Sequence, residues 1–269
     1  ILLILQFVCS ISLIIIVFFI SKQVQHATDT MGFKKDNILI ANTSALSKSE
    51  TLLLAERLKE NRDIIKVSSS SSVPGEDLSD AQEARLISGT LTQNLNFRLP
   101  YVNADTHFSN IYGLNIIAGT NFSSSVTDTF PHFLISAETV RQIGIKDPNT
   151  MIGAQIVYGK SIGKIVGIFD DFHYESFKKK IGPLLISNKQ SSKYLSIHYH
   201  NNGLQKVVNN LQNLFKEIKP GENLIFHFMN ERLDQLYKKE KKLITMIHIF
   251  SILSILLALS GVFSLIQFI

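Results

Sequence analysis

The stretch Tyr194-Leu195-Ser196-Ile197-His198-Tyr199-His200 alternates as a half-buried strand does, and beyond it the period changes. Leu204, Val207, Val208, Leu211, Leu214, Phe215 and Ile218 recur at i, i+3, i+4 and i+7, the stripe of an amphipathic helix. Lys219-Pro220-Gly221 stops that helix, and Leu224 to Met229 reads as another strand. Strand, helix and strand make a β-α-β unit, which buries its apolar face only as part of a larger layer.

A unit of the same kind lies upstream. Asn37 to Asn42 reads as a short buried strand, and Ser47-Lys48-Ser49-Glu50 is a capping box with a hydroxyl at the cap and a carboxylate three residues on. Leu54, Ala55 and Leu58 share one helix face, Ile64 to Ser72 is β-branched and then serine-rich, and Val73-Pro74-Gly75 turns the chain. Two such units far apart in the sequence predict one split α+β layer with a second subdomain inserted into it. The insert, Glu76 to Asn188, reads as β-rich, with strands at Ala84–Leu91, Asn96–Ala104, Phe133–Ile135, Ala154–Tyr158 and Lys164–Phe169. Short helices are expected at Thr106–Tyr112 and Ala137–Ile143.

The chain of 269 residues is 45% hydrophobic and only 18% charged, against about 25% charged in an ordinary soluble domain. The deficit sits at the ends, because the first charged residue is Lys22 and the last is Lys242. Such a pattern excludes a disordered chain, a collagen-like repeat and a purely cytosolic enzyme. One cysteine, Cys9, excludes a disulfide framework and a multi-cysteine zinc site. Ile1–Ser21 is charge-free and as a helix would extend about 31 Å, matching a hydrocarbon core of about 30 Å. Leu243–Ile269 is also charge-free and longer, so both runs are expected to be transmembrane helices, in a piece cut from a longer polypeptide. In the second run Ser251, Ser254, Ala258 and Gly261 form a small-residue stripe, which allows close helix packing in lipid, with His248 one turn before it. Gln6, Cys9 and Ser10 share a face of the first. Lysines 238, 239, 241 and 242 abut the second span, but the positive-inside rule governs short loops, so composition leaves the side of the central domain open.

Between spans and domain, Val24, Ala27 and Met31 would carry the first helix outward to Gly32. Asn230 is placed to cap a last helix, with Glu231 in its first turn, that runs on into the second span as a stalk. The expected segments are therefore 1–21 (span), 22–75 (stalk and first unit), 76–188 (insert), 189–229 (second unit), 230–242 (stalk) and 243–269 (span).

Few residues suggest chemistry. Gly159-Lys160-Ser161 lacks the earlier glycine of a phosphate loop, since position 154 is Ala154, and a strand comes after it, so it reads as a hairpin turn. Asp170-Asp171-Phe172-His173, with His198 and His200 elsewhere, gathers metal-ligand residue types without showing convergence, and no metal site is assigned. No catalytic constellation or cofactor motif occurs, so the chain is not expected to be an enzyme. Lys178-Lys179-Lys180 reads as a solvated basic turn; the net charge of +5 without aromatic interleaving argues against nucleic acid as a partner.

The run Gly163-Lys164-Ile165-Val166-Gly167-Ile168-Phe169-Asp170-Asp171-Phe172-His173-Tyr174-Glu175-Ser176 resembles a characteristic segment of the FtsX-like, MacB-type ABC transporter permeases, especially their long Bacteroidetes form. Gln6-Phe7, Tyr112-Gly113-Leu114 through Gly119-Thr120-Asn121-Phe122, and Asn230-Glu231-Arg232-Leu233-Asp234-Gln235-Leu236-Tyr237 agree with it in order. The chain departs at Tyr174, where Phe is usual, and at Lys178 to Lys180, where the family varies.

The resemblance implies a span, a periplasmic domain and the next span of a permease in the bacterial inner membrane. Its partners would be a cytoplasmic ABC ATPase, a second permease copy or half, membrane lipid, and a periplasmic partner or substrate. ATP hydrolysis by the ATPase would be passed through the membrane helices to the outer domain, for export or mechanotransmission. On that reading Gly163, Gly167, Asp171, Phe172, His173, Glu231, Arg232, Asp234, Leu236 and Tyr237 are structural or coupling residues of the family motifs. The competing expectation is an extracytoplasmic ligand-sensing domain of a membrane signalling receptor, which sequence beyond Ile269 would distinguish by kinase motifs in place of further spans.

Overall fold

The computed structural model describes residues 2–29, 32–78, 80–89, 91–123, 130–175, 179–236 and 238–268. They fall into two units, one of long helices at the two ends of the chain and one running from Gly32 to Arg232.

The second unit contains a four-stranded antiparallel sheet of β1 (Ile38–Asn42), β2 (Ile64–Ser70), β10 (Tyr194–Tyr199) and β11 (Ile225–Phe228), in the order β11-β1-β10-β2. Helix α2 (Lys48–Lys59) joins β1 to β2, and α5 (Leu204–Ile218) joins β10 to β11. Because β10 lies between β1 and β2, and β1 between β10 and β11, each β-α-β unit is split by a strand of the other. The capping box forms as its residues require: Glu50 N–H donates to Ser47 Oγ at 3.2 Å, and Ser47 N–H to Glu50 Oε2 at 2.7 Å. Strand alternation then sorts two faces. Leu39, Ala41, Val67, Leu195 and Ile197 meet Leu54, Leu58, Val207, Leu211 and Phe215 of the helices in one core. The other face shows Ile38, Ile40, Ser68 and Ser196, and the short helix α3 (Phe108–Tyr112) packs against β2 and β10.

The chain leaves this layer after β2 and returns at β10, where Ser70 pairs with Tyr194. Between them β3 (Ala81–Ser88), β4 (Leu91–Asn103), β5 (Ile116–Gly119), β6 (His132–Ser136), β7 (Gln155–Tyr158), β8 (Ser161–Phe169) and β9 (Leu185–Ser187) form a second sheet. It runs β8-β6-β9-β4-β3-β7, and a β7–β8 pairing closes it into a ring, with β5 attached to β8 outside. Closure removes the unpaired edges that an open sheet would present. Its core is separate, built on Leu99, Phe133, Ile135, Ile156, Ile165, Ile168 and Leu185, and α4 (Ala137–Ile143) adds Val140 and Ile143 to it.

Several expectations are corrected here. β3 starts at Ala81 and β4 at Leu91, so the Ala84–Leu91 and Asn96–Ala104 strands are two arms of a hairpin longer than alternation alone suggests. β5 and β9 escape a reading of the sequence; at four and three residues they carry too little periodicity. Asn230 is not a cap, because α6 (Met229–Leu236) begins one residue earlier; its amide donates to Asp36 Oδ1 at 3.2 Å.

In the first unit α1 (Leu2–Asp29) packs along α7 (Lys238–Phe268). Among the described residues one stretch, Lys242–Ser264, is long and apolar enough to cross a membrane, while the apolar part counted in α1 is the shorter Ile11–Lys22. Thr30, Met31 and Tyr237 lie outside the described residues, as do the side chains of Gln6, Cys9, Ser10, Val24, Ala27, Leu236 and Ala258.

Candidate functional site

The segment Gly163 to Glu175 begins as β8 and ends in the loop beyond it. Gly163 and Gly167 are positions where a side chain has no room. A Cβ on Gly163 would strike the Phe133 ring and lie 2.6 Å from the Pro131 carbonyl oxygen, and one on Gly167 would strike the Thr120 carbonyl oxygen. Their absence of side chain lets the ring strand lie tight against its neighbours.

At the end of β8, Asp171 is turned back onto α4. Its Oδ1 accepts the Glu138 backbone N–H at 2.7 Å and its Oδ2 takes Arg141 in an ion pair. Ser136 caps the same helix, accepting Thr139 N–H at 3.2 Å. A carboxylate at a helix N-terminus satisfies an orphan donor and meets the positive end of the dipole. Arg141 is also held by Glu138, with Nε to Oε2 at 3.0 Å, and the Asp171 and Glu138 hydrogen bonds raise its pKa above the usual guanidinium value.

Phe172 and Tyr174 point inward. Phe172 stacks edge-on to Phe33 at 5.8 Å and lies at the same separation from Phe169 and from Tyr174. Phe33 in turn meets Tyr112 at 6.1 Å, and Tyr112 meets Phe108 at 4.7 Å. The aromatic chain thus joins β8 to the segment before β1 and to α3, and the buried Tyr112 hydroxyl shares a 2.8 Å hydrogen bond with Ser196 on β10. Aromatic pairs in such offsets each contribute about 0.5–1.5 kcal/mol beyond burial. His173, between them in sequence, is half-buried, and burial lowers its pKa below the ordinary histidine value.

Glu175 accepts the Leu78 N–H at 2.8 Å and pairs with Lys179, which reaches Asp77 as well at 2.9 Å. Lys179 is therefore a cross-link, not a purely solvated charge; Ser176 and Lys178 lie outside the described residues, and Lys180 is exposed.

Arg232 brings the other motif to the same body. Its guanidinium lies 3.3 Å from Glu76 Oε1, just past the Val73-Pro74-Gly75 turn, with side-chain exposures of 22% and 18%. Glu76 also accepts hydrogen bonds from the Tyr194 hydroxyl and, at 2.8 Å, from Ser72 Oγ. Burial opposes the Glu76 charge, but Tyr194, Ser72, Lys193 and Arg232 together outweigh it and hold the carboxyl below its ordinary pKa. The Tyr194 phenol is pushed up to about 12 by burial and by that carboxylate. Glu231 is exposed in the same helix.

In the first unit Asp234 is exposed. Along α7 the less exposed positions are Ile244, Ile247, Ser251, Ser254, Gly261 and Val262, with Ser251 buried and its hydroxyl donating to the Ile247 carbonyl at 2.9 Å. His248 is exposed and does not share that face. Val17 is the buried residue of α1 among those described.

The structure brings Asp171, Phe172 and His173 together beside α4 and α3, and seats Arg232 on Glu76. Glu76, Tyr194 and Ser72 escape sequence reasoning, since each is an ordinary polar residue until the fold unites them. Gly159 and Lys160 form the two-residue connection between β7 and β8, where Tyr158 pairs with Ser161. No group of three His, Cys, Asp or Glu among the described residues is placed to hold a metal ion.

Neither a protein-family model nor a curated protein sequence matches the chain. Its fold is similar to that of the periplasmic region of MacB from Actinobacillus actinomycetemcomitans, with a TM-score of 0.52 and 9% identity over 75% of this chain and 93% of that one. Weaker likenesses are to a domain of a provisionally named permease protein from Porphyromonas gingivalis (TM-score 0.48, 17% identity, 72% of this chain and 90% of that one) and to the extracellular domain of the noncanonic ABC-type transporter YknZ from Gram-positive bacteria (0.46, 10%, 71% and 98%). At such identity the likeness is one of fold, and the chain has a mixed α/β fold of the MacB periplasmic type.

Proposed function

We propose that this chain is part of an FtsX-like, MacB-type ABC transporter permease, of the long Bacteroidetes form its motifs resemble. In this reading Gly32–Arg232 is the periplasmic domain, and α1 and α7 are two transmembrane helices in the bacterial inner membrane. The observation that carries it is a MacB-type fold occurring in one chain with two long helices whose outward side chains, such as Phe18, Phe19, Phe250, Leu257 and Phe263, are apolar and exposed. The permease supplies no catalytic group and no cofactor; a cytoplasmic ATPase hydrolyses ATP, and a second permease copy completes the membrane bundle. Coupling passes through the helices to the outer domain, which acts on a periplasmic partner or substrate. Asp171, Phe172 and His173 stiffen that domain, and Arg232 holds the root of α6 to it.

The test is co-expression with candidate ABC ATPases of the same organism. Copurification in detergent, with ATP hydrolysis that changes when the permease is present, is expected. A chain that instead purifies with a histidine kinase, and alters no ATPase, would make it a signalling receptor.

A further inference from the structure

We infer that the closed sheet of the insert carries a binding site for an acidic saccharide at one of its ends, independently of the transport reading. The six strands of the ring all contribute to one opening, of about 560 Å3 including its mouth. Gln82 is the second residue of β3 and Phe133 the second of β6, Tyr101 and Asn103 lie at the end of β4, Tyr158 ends β7, Ser161 begins β8, and Ser187 ends β9, so the opening is the barrel's own end. Barrel mouths are recurrent ligand sites.

Its chemistry is layered. The floor is aromatic: Phe133 and Tyr158 are buried, and the Tyr101 ring lies 4.9 Å from that of Tyr158, whose hydroxyl is occupied by the Leu99 carbonyl at 2.9 Å. The wall supplies amides and hydroxyls from Gln82, Asn103, Ser161 and Ser187. The rim supplies two exposed lysines, Lys160 on the β7–β8 turn and Lys189 just past β9, and no carboxylate lines the opening among the described residues. A flat ring bearing hydroxyls suits the floor and wall, and a carboxylate or phosphate suits the rim, where charge-assisted hydrogen bonds are the strong ones. An aromatic carboxylate would leave the amides and hydroxyls unmatched, and a neutral sugar would leave the lysines so.

The experiment uses the full chain in detergent, with ligand-observed NMR titration of four probes: glucuronate, glucose 6-phosphate, glucose and benzoate. Binding of glucuronate or glucose 6-phosphate at least tenfold tighter than both glucose and benzoate is expected. The double substitution K160Q/K189Q should weaken it at least tenfold, and Y101A likewise, with thermal unfolding of K160Q/K189Q unchanged because both lysines are exposed. Absence of binding to either acidic probe at 10 mM (on the order of the weakest useful site) would overturn the site. So would equal binding of glucose or benzoate, or binding that survives K160Q/K189Q.

Discussion

Glu76 accepts from two hydroxyls and pairs with Arg232 while mostly out of solvent, so its charge is retained only because its partners outweigh burial. A carboxyl whose folded pKa is lowered adds stability that is fully present above its unfolded value, near 4.5, and is lost as pH falls through the folded one. Arg232→Ala removes one partner and leaves the carboxylate buried, which should cost about 1–3 kcal/mol at pH 7 in urea unfolding. The same substitution should cost less at acid pH, below the lowered folded pKa, where the Glu76 carboxyl is protonated and no longer an ionic partner of Arg232. An equal loss at both pH values would mean that Arg232 acts through packing and not through this pair. Gly163→Ala forces a methyl group into the Phe133 ring and the Pro131 carbonyl, and should destabilise by about 1–3 kcal/mol, whereas Gly182→Ala, with open space around it, should be near neutral. Comparable losses at the two sites would contradict the close packing of β8.

At the level of elements, the interaction that fixes α4 comes from outside its own sequence. Ser136 is a local cap of the ordinary kind, but Asp171 reaches the Glu138 N–H from the far end of β8. Asp171→Asn keeps the shape and removes the charge from both the helix terminus and Arg141; a loss of about 1 kcal/mol is expected, smaller in high salt. If high salt leaves the loss unchanged, the carboxylate contributes hydrogen-bond geometry and not charge. The same contrast explains what can be read in advance. α5 is legible because its burial follows a local period, and α2 because Ser47 and Glu50 state its start. The ring is not, because β7 meets β8 through a turn while β4 meets β9 and β6 meets β8 in parallel across long stretches of chain. In the candidate site, Asp171 and Arg232 stand out through a family pattern, but Glu76 and Tyr194 are remote from them in sequence and carry no signature of their own.

For the whole molecule, the apolar exterior of α7 predicts that the chain stays with the membrane fraction under alkaline carbonate extraction, since a peripheral protein would be released. Recovery in the supernatant would remove the membrane reading. The globular unit makes a sharper prediction, because among the described residues the core of the four-stranded layer and the core of the ring share no residue, although the Phe33, Tyr112 and Phe172 rings bridge the two layers. The core beneath α2 and α5 draws only on residues before Ser68 and after Tyr194, and the ring's core only on residues between Ala84 and Leu185. The insert also leaves and returns at paired neighbours, Ser70 and Tyr194. Replacing residues 71–193 by Asn-Gly should therefore turn β2 and β10 into an ordinary hairpin, with a turn whose twist suits it. What that chain loses is α3 over β2 and β10, on the sheet face that Ile38 and Ile40 share, together with the Phe108, Tyr112 and Phe172 rings; exposing each isoleucine would cost about 1.5–3 kcal/mol, a large share of an ordinary domain's stability. It should fold cooperatively in urea with a reduced midpoint and bind a hydrophobic dye at the uncovered face. Ile38→Thr with Ile40→Thr should then abolish dye binding without lowering stability by more than about 1 kcal/mol, because both positions would already be in water. A shortened chain with no cooperative transition would show instead that the ring is needed to fold the layer that carries it.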